Sequence, residues 1–438
     1  MKTADITALG LMTFSLFLGA GNLIFPPMIG QMAGDNTLTA GLGFIVGDVG
    51  LTLLALIAIS MIGGPDKILQ DFPGPIQNLF WITLFIIIGP AFVLPRAAIV
   101  TYEIGLHPIL GDSPIAFYGF IFTFLTTGML FTLNPKRIVS TVGKWMTPVL
   151  LLLLTAIAVT TILSPQSPVE PARGNYIHQA FSEGVIQGYL TMDALGALGF
   201  GWIIAAAIRN LGTTSNRDIA RYTAIAGLSA AIGMILVYSA MLYLGATSYG
   251  IAPNAGNGGH ILSAYVSQLF GPYGITVLAI VFILACLTTC IGVSGAGAEY
   301  FHKVAPSISY RHFVIIIFSS ATIVATIGLE KLIGITLPII LLFYPVAIAI
   351  ILITLIRPWL AQPQKVTYIL SSTALIFGLL DGAMAIGLMP TPASIWLIKH
   401  LPLFDLGMGW IIPGGIALIT GITFSQFSLG PNTNDTTN

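Results

Sequence analysis

Long apolar runs are the feature that most constrains this chain, because they recur from one end to the other. A helix needs about 20 residues to cross a lipid bilayer, and apolar stretches of about that length lie near 6–28, 41–62, 76–101, 114–133, 145–163, 188–208, 224–246, 274–297, 313–329, 332–356, 368–388 and 407–424. Charged residues form only 7% of the 438 positions, too few to cover a soluble protein of this size. The pattern predicts an all-α integral membrane protein with twelve spans in one polytopic domain, followed by a polar tail at 429–438.

Basic residues between the spans predict the orientation, since Lys and Arg are enriched in cytoplasmic loops. With the N-terminus inside, twelve basic residues fall on the cytoplasmic side and three outside, while Arg96 lies inside the third span. The outer three are Arg173, Lys331 and Lys399. Both termini, and the loops at 134–144 and 209–221, are therefore expected in the cytoplasm, and Glu330 and Lys331 are expected in a tight turn between the ninth and tenth spans.

Several classes of function are disfavoured by the sequence. The zero net charge argues against a nucleic-acid partner. No metalloprotease, hydrolase or phosphate-loop motif is present, and all six histidines fall in loops or at span ends, so we predict neither an enzyme nor an organic cofactor. Cys286 and Cys290 lie four apart in one span and are predicted to be packing thiols rather than a disulfide or metal pair.

The first span is interrupted by FLGAGNLIFPP, residues 17–27. Two glycines weaken the helix by about 1 kcal/mol each relative to alanine, and Asn22 brings polar groups that lipid cannot satisfy. The sixth span carries a similar interruption in GYLTMDALGALGFGW, residues 188–202, with Asp193 beside three glycines. Glycine-rich stretches also allow close helix packing, but two of them, each with a polar residue at depth, favour a binding site.

Spans one and six are five apart and therefore cross the membrane in opposite directions. This arrangement predicts an inverted five-plus-five repeat, at about 6–163 and 188–356, with helices 11 and 12 (about 368–424) added. The amides of Gly19, Ala20 and Gly21 are expected to receive a carboxylate at the positive end of a half-helix. The carbonyls from Asp193 through Ala194, Leu195 and Gly196 to Leu198 are expected to receive an ammonium group.

Six stretches resemble the bacterial branched-chain amino acid:cation symporters of the BrnQ (LIVCS) type, which have the leucine-transporter-type fold. They are GAGNLIFPP at 19–27, LPRAAIVTYEIG at 94–105, GYLTMDALGALGFG at 188–201, CLTTCIGVSGAGAEYF at 286–301, FYPVAIAIILI at 343–353 and FGLLDG at 377–382. The resemblance implies import of leucine, isoleucine or valine across the bacterial inner membrane with Na⁺ as the coupling ion. It also implies a sodium site formed by the backbone of Ser15 and Leu18 with the hydroxyls of Thr288 and Thr289. Asp48 stands where this family is associated with an uncharged residue.

Other polar residues at depth leave alternatives open, since a carboxylate at the bilayer centre costs about 2.5–3.5 kcal/mol. Asn22 and Asp193 are candidate ligands for substrate or a second cation, although Asn22 could instead cap a half-helix and Asp193 could bond a neighbouring helix. Arg96 and Glu103 form either a gate or a static clamp. Tyr102 is a candidate substrate contact, whereas Asp48 and Asp381 are interpreted as structural or as partnered with groups that the sequence does not identify.

The residue pattern alone predicts a secondary transporter of a small zwitterion or anion. The resemblance implies a sodium-coupled symporter that works by alternating access, with an amino acid, sodium and the lipid bilayer as its partners. A channel is disfavoured because the repeat and the broken helices suit a carrier better than a pore. The alternative is a proton-coupled or differently specific amino acid carrier of the same fold, with Asp193 as its titrating group. The oligomeric state stays open.

Overall fold

The computed structural model describes residues 1–427, including all of their side chains except those of residues 329, 330, 333, 426 and 427. The predicted polar tail at 429–438 lies outside these residues. Every regular element within them is helical, in agreement with the predicted all-α class.

The first half of the chain forms nine α-helices. They are α1 (Thr3–Phe17), α2 (Ala20–Ala33), α3 (Thr37–Ile45), α4 (Leu51–Ile62), α5 (Gly74–Ile86), α6 (Val93–Thr101), α7 (His107–Leu110), α8 (Pro114–Thr132) and α9 (Thr147–Leu163). Four π-helical segments continue these helices, at Val46–Gly50, Ile87–Ala91, Tyr102–Leu106 and Val139–Met146. Each π turn adds a residue to the helix and rotates the following side chains relative to a regular 3.6-residue period.

The second half forms ten more helices within the described residues. They are α10 (Tyr176–Leu190), α11 (Asp193–Asn210), α12 (Asn216–Ala246), α13 (Gly258–Phe270), α14 (Gly274–Val304), α15 (Tyr310–Ala325), α16 (Leu329–Ile356), α17 (Pro363–Ala385), α18 (Thr391–His400) and α19 (Ile411–Phe427).

Long apolar helices make this a multi-pass membrane protein. Among the described residues, eight helices are long and apolar enough to cross a membrane, and a ninth forms if α10 and α11, bent by 43° at their junction, are one span. Three shorter apolar helices are Thr3–Phe17, Tyr310–Ala325 and Ile411–Ser425.

The chain divides into two compact units. The first comprises Met1–Gly64 and Ile82–Leu332, and the second comprises Pro65–Trp81 and the chain from Ile333 onward. In the second unit, the carboxylate of Asp71 pairs with Arg357 and accepts a hydrogen bond from the Thr367 hydroxyl at 2.9 Å. The Tyr368 hydroxyl donates to the Asp71 carbonyl at 3.0 Å. These contacts fasten segment 65–81 to the start of α17.

Two pairs of helices in the first unit touch backbone to backbone. On α3 and α10, a side chain at Gly184 would overlap the carbonyl of Ala40, and one at Gly43 would overlap that of Phe181. On α2 and α12, Gly30 lies against the carbonyl of Leu242. Glycine is needed here because any Cβ would occupy the space of the partner helix. Each helix break described below therefore has one neighbouring half-helix fixed by close packing.

Several predicted boundaries are wrong. The helix that leads into the predicted sixth span, α10, begins at Tyr176 rather than 188, because it carries polar residues such as Gln179 and Glu183 that lower its apolar score. Helices α13 and α18 lie where loops are expected. Lys331 lies in the first turn of α16, and the turn that follows α15 lies earlier, at 326–328.

Candidate functional site

The first helix break lies between α1 and α2. Helix α1 ends at Phe17, Leu18 and Gly19 are extended or irregular, and α2 begins at Ala20. The Gly19 amide donates to the carbonyl of Phe17 at 2.7 Å and to Oδ1 of Asn22 at 3.3 Å. Asn22 thus caps the new half-helix, which is one of its two predicted roles. The first amides of α2 have no partner within the helix and give this end a partial positive charge.

The second break lies between α10 and α11. Helix α10 ends at Leu190, and Met192 has a left-handed backbone with φ of 62°. A non-glycine residue in this conformation costs about 1–3 kcal/mol, and such residues are concentrated at functional sites. The Thr191 hydroxyl donates to the carbonyl of Gly188 at 2.7 Å and so holds the end of α10.

The side chain of Asn22 joins the two breaks. Its Nδ2 donates to Oδ2 of Asp193 at 2.5 Å and to the hydroxyl of Tyr238 at 2.5 Å. Asn22 and Asp193 are 171 residues apart in sequence, and the structure brings these two predicted site residues into direct contact. Asn22 and Tyr238 are buried at 4% and 0% exposure, whereas Asp193 is partly exposed. Asp193 is therefore the member of this trio that keeps some exposed surface.

Asp48 lies beside this junction, in the π-helical segment between α3 and α4. It is 1% exposed, and its Oδ1 accepts a hydrogen bond from the Thr191 hydroxyl at 3.1 Å. Its Oδ2 is buried and accepts no hydrogen bond from any described residue. Asp48 also interacts electrostatically with Asp193. A residue interpreted as structural from sequence thus lies next to the second break.

The paired threonines of α14 face the end of α1. The Thr288 hydroxyl donates to the carbonyl of Ser15 at 3.0 Å and to that of Ala285 at 2.9 Å, while the Thr289 hydroxyl donates to Ala285 at 3.1 Å. A Cβ at Gly19 would lie 3.4 Å from Oγ1 of Thr289. The structure therefore brings together Ser15, Gly19 and both threonines, with Leu18 between the first two in the chain.

Arg96 is also part of this region. A Cβ at Gly21 would lie 3.9 Å from its guanidinium, and Arg96 interacts electrostatically with Asp193 and with Cys286. No ion pair joins it to Glu103 in residues 1–427; Glu103 is exposed and interacts with His107 instead. The structure does not bring the predicted gate pair together, because Arg96 lies beside the first break whereas Glu103 lies on exposed surface near His107.

The predicted contacts at Tyr102 and at residues 193–198 differ from the expectation. Tyr102 points away from both breaks, since its hydroxyl donates to the Gly111 carbonyl at 3.1 Å and its ring packs edge-on against Phe117. Residues 193–198 form the first turns of α11, so their carbonyls are inside the helix. Contrary to expectation, the groups that they present to the break are amide N–H groups. The carbonyl-bearing end belongs to α10, at Leu190 and Thr191.

Apolar surface completes the site. The Phe17 and Phe200 rings meet edge to face at 5.0 Å, and a Cβ at Gly196 would lie 3.5 Å from the Phe200 ring. A cavity of about 380 Å³ extends alongside α2 and α10. Its lining consists of Ile24, Phe25, Met28, Ile29, Met32, Tyr176, Gln187, Gly256, Asn257 and Gly258. The site thus combines two helix ends and buried polar groups with two aromatic rings, and the cavity lies further along α2 and α10.

Comparison with known proteins decides the family. The family model of the branched-chain amino acid transport protein matches residues 2–428. The chain belongs to this family. The branched-chain amino acid transport system 2 carrier protein of Pseudomonas aeruginosa is 41% identical over 424 residues, 96% of each chain. The branched-chain amino acid permease BrnQ of Salmonella typhimurium is 38% identical over 429 residues, 97% of each chain.

A solved structure shows the fold of this family member. The chain is similar to Mhp1, a nucleobase-cation-symport-1 family transporter in a closed conformation with bromovinylhydantoin bound. The TM-score is 0.50 at 13% sequence identity, and the match covers 93% of this chain and 96% of that one. The predicted family is confirmed, and so is the prediction that the chain is not an enzyme, since its relatives are named as carriers and permeases.

Three residues at the candidate site are not predicted from the sequence. Tyr238 and Thr191 are polar groups in spans, but nothing in the sequence distinguishes them from other hydroxyls of the chain. Asp48 carries a clearer signal, because it lies in mid-span between Gly47 and Gly50 and an ionisable residue at depth marks function by default.

Proposed function

We propose that this chain is a sodium-coupled symporter that imports leucine, isoleucine and valine by alternating access. The observation that carries the proposal is the Asn22 amide, which bridges two helix breaks in a member of the branched-chain amino acid transport family. Broken helices with polar groups at depth are tolerated where they line a binding cavity. The relatives described above are named for branched-chain amino acids, and their names supply the substrate class.

The proposal includes twelve spans with both termini in the cytoplasm of a bacterial inner membrane. Helices α1 and α2 would form span one, α10 and α11 span six, and α16, α17 and α19 the last three. In an inverted repeat each span corresponds to the one five spans later, so span one corresponds to span six and span two to span seven. Packing of span one on span seven should therefore be matched by packing of span six on span two. The contacts of α1 with α12 and of α10 with α3 support this relationship, as do those of α2 with α12 and of α11 with α4.

The substrate would lie between the two breaks. Its carboxylate would meet the backbone amides of Gly19, Ala20 and Gly21 at the positive end of α2, where it would replace their present partners. The Arg96 guanidinium beside Gly21 would be a second, cationic contact for this carboxylate. Its ammonium group would meet Asp193 and the carbonyl end of α10. The branched side chain would pack against Phe17 and Phe200, and the cavity beside α2 and α10 would serve as the access path.

Sodium would bind between span one and α14, as a cargo ion. The Ser15 and Leu18 carbonyls and the Thr288 and Thr289 hydroxyls would be its ligands, and oxygen atoms are the ligands that hard cations prefer. The hydroxyl of Ser15 is buried without a partner in the described part of the chain. The wedge between α1 and α14, formed by Ser15, Leu18, Thr288 and Thr289, therefore has a further oxygen atom that could coordinate an ion. A second sodium ion beside Asn22 and Asp193 is part of the same proposal.

Uptake of labelled leucine by purified protein in liposomes tests the proposal. An imposed inward sodium gradient should drive accumulation, and excess unlabelled isoleucine or valine should compete. Uptake driven by a proton gradient and indifferent to sodium would support the proton-coupled alternative instead. Exchange of labelled for unlabelled leucine across a closed vesicle would distinguish the carrier from a pore.

A further inference from the structure

Asp48 has the most deeply buried carboxylate at the helix breaks, and the proposed function gives it no role. Its backbone is fixed, because a Cβ at Gly188 on α10 would lie 2.7 Å from the Asp48 amide nitrogen. Its carboxylate is also fixed, by the Thr191 hydroxyl at 3.1 Å. Asp48 is therefore held rigidly against the residues that form the second break.

The charges around Asp48 do not balance. Asp48 and Asp193 interact with each other, and the basic side chain that interacts with Asp193 is Arg96. The other groups that interact with Asp48 are the neutral hydroxyls of Thr191 and Tyr238. Two carboxylates therefore share one guanidinium, and a zwitterionic amino acid adds no net charge. An uncompensated buried carboxylate is costly, so one monovalent cation, either a metal ion or a proton, is needed to balance this pair.

The free oxygen of Asp48 is where such a cation can bind. Oδ2 is buried and accepts no hydrogen bond from any residue within 1–427. Oδ1 of Asp48 accepts one hydrogen bond from Thr191, and Oδ2 of Asp193 accepts one from Asn22. Both carboxylates therefore keep unused lone pairs. Carboxylate and hydroxyl oxygens from two carboxylates and a threonine are suited to a hard cation.

We propose that Asp48 is a direct ligand of the second transported sodium ion, which it holds together with Asp193. This inference rests on the proposed cation-coupled function and adds to it a residue and an ion count. Removing the charge of Asp48 removes one cation site while leaving the wedge of Thr288 and Thr289 intact. Asp48→Asn should therefore transport one sodium ion fewer per leucine.

The reversal potential of leucine flux in proteoliposomes measures that number. With equal sodium on both sides and a tenfold leucine gradient, flux should vanish at about 30 mV when two charges move with each leucine and at about 59 mV when one does. Valinomycin and potassium set the voltage. The parent protein should reverse near the first value and Asp48→Asn near the second, and ²²Na⁺ binding to purified protein should fall by one ion per chain.

Two control variants separate this role from general damage. Asp381→Asn removes another buried carboxylate, from the second unit, and should keep the parent's reversal potential. Thr191→Val keeps the carboxylate but removes its hydrogen bond, so it should keep the two-ion count while weakening sodium binding several-fold. If Asp48→Asn folds but cannot transport, its ²²Na⁺ and leucine binding in detergent still give the ion count.

Different results would overturn the role of Asp48, the sodium assignment and the proposed function. An Asp48→Asn variant that binds as many sodium ions as the parent and keeps its reversal potential overturns the role of Asp48 alone. A parent whose leucine uptake acidifies the vesicle lumen and binds no ²²Na⁺ overturns the sodium assignment in favour of a proton. A parent whose leucine transport is independent of every cation overturns both this inference and the proposed function.

Discussion

At the scale of single residues, Asn22 has the central position because it serves both breaks at once. Its carbonyl oxygen caps α2 and its amide nitrogen reaches Asp193 and Tyr238. The cost of polar groups in lipid predicts Asn22 and Asp193 from sequence. It does not predict the contacts of Asp48, because these depend on the pairing of α3 with α10. Tyr102 and Glu103 are wrongly predicted at the site, because Tyr102 donates to the Gly111 carbonyl and Glu103 is exposed near His107.

Thr289→Ala should raise the sodium concentration needed for half-maximal leucine uptake. Loss of a hydroxyl from a cation costs about 1–3 kcal/mol by analogy with hydrogen bonds to charged groups, or about 5- to 150-fold in affinity. Saturating sodium should restore most of the leucine affinity, because the two ligands strengthen each other by one common factor.

Thr223→Ala is the matched control for Thr289→Ala. Thr223 is equally buried and donates its hydroxyl to the carbonyl of Ile219, four residues back, at 2.9 Å. Its loss should leave sodium dependence unchanged. An equal rise in the half-maximal sodium concentration for both variants would show that the hydroxyl of Thr289 has no specific role.

At the scale of elements, the proposed substrate site depends on the open space at the first helix break. Gly21→Leu should abolish leucine binding, because a side chain there extends towards Phe25 and Arg96, whose atoms lie 3.8 and 3.9 Å from the Cβ position. Gly21→Ala fits at these distances and should bind leucine more weakly without loss of folding. Equilibrium binding on monodisperse protein is the measurement, and normal affinity in Gly21→Leu would mean that the break serves packing only.

Helix packing gives a second prediction at this scale. Gly184→Ala should lower the thermal unfolding temperature in detergent, since its Cβ would overlap the carbonyl of Ala40 on α3 and overpacking typically costs about 1–3 kcal/mol. Gly119→Ala on α8 has no atom within 4 Å of its Cβ and should be neutral or stabilising. A Gly184→Ala variant as stable as the parent would contradict the close contact of α3 and α10.

At the scale of the whole molecule, hydropathy predicts the membrane class and most helix positions. It fails where a helix owes its stability to packing rather than to an apolar surface, as α10 does on α3. It also misses α13, because a short helix between spans has no long apolar run. The basic residues in the loops predict the orientation of the chain in the membrane, and this orientation stays a prediction.

Orientation can be tested within the first unit by cysteine labelling. Single cysteines at Lys136 and Val169 flank one predicted span, and both positions are exposed. In a background that lacks Cys286 and Cys290, an impermeant reagent added outside intact cells should label position 169 only. Labelling at position 136 but not 169 would invert the predicted topology.

Energetics makes a coupled cation a sufficient driving force. One positive charge moving down the membrane potential releases about 2.3 kcal/mol per 100 mV, which corresponds to about 50-fold accumulation of a neutral zwitterion. This holds only if the ion binds beside the substrate and both move together. Of the candidate sodium ligands, Ser15 lies three residues before the first break at Leu18, and Thr288 on α14 contacts its carbonyl.

Labelled leucine uptake into proteoliposomes under imposed ion gradients tests the central claim most directly. Inward sodium at constant pH should drive leucine above equilibrium, and an inside-negative potential should increase the accumulation. Dissipating the sodium gradient should release the accumulated leucine. Accumulation that follows the proton gradient and is unchanged when choline replaces sodium would contradict the account.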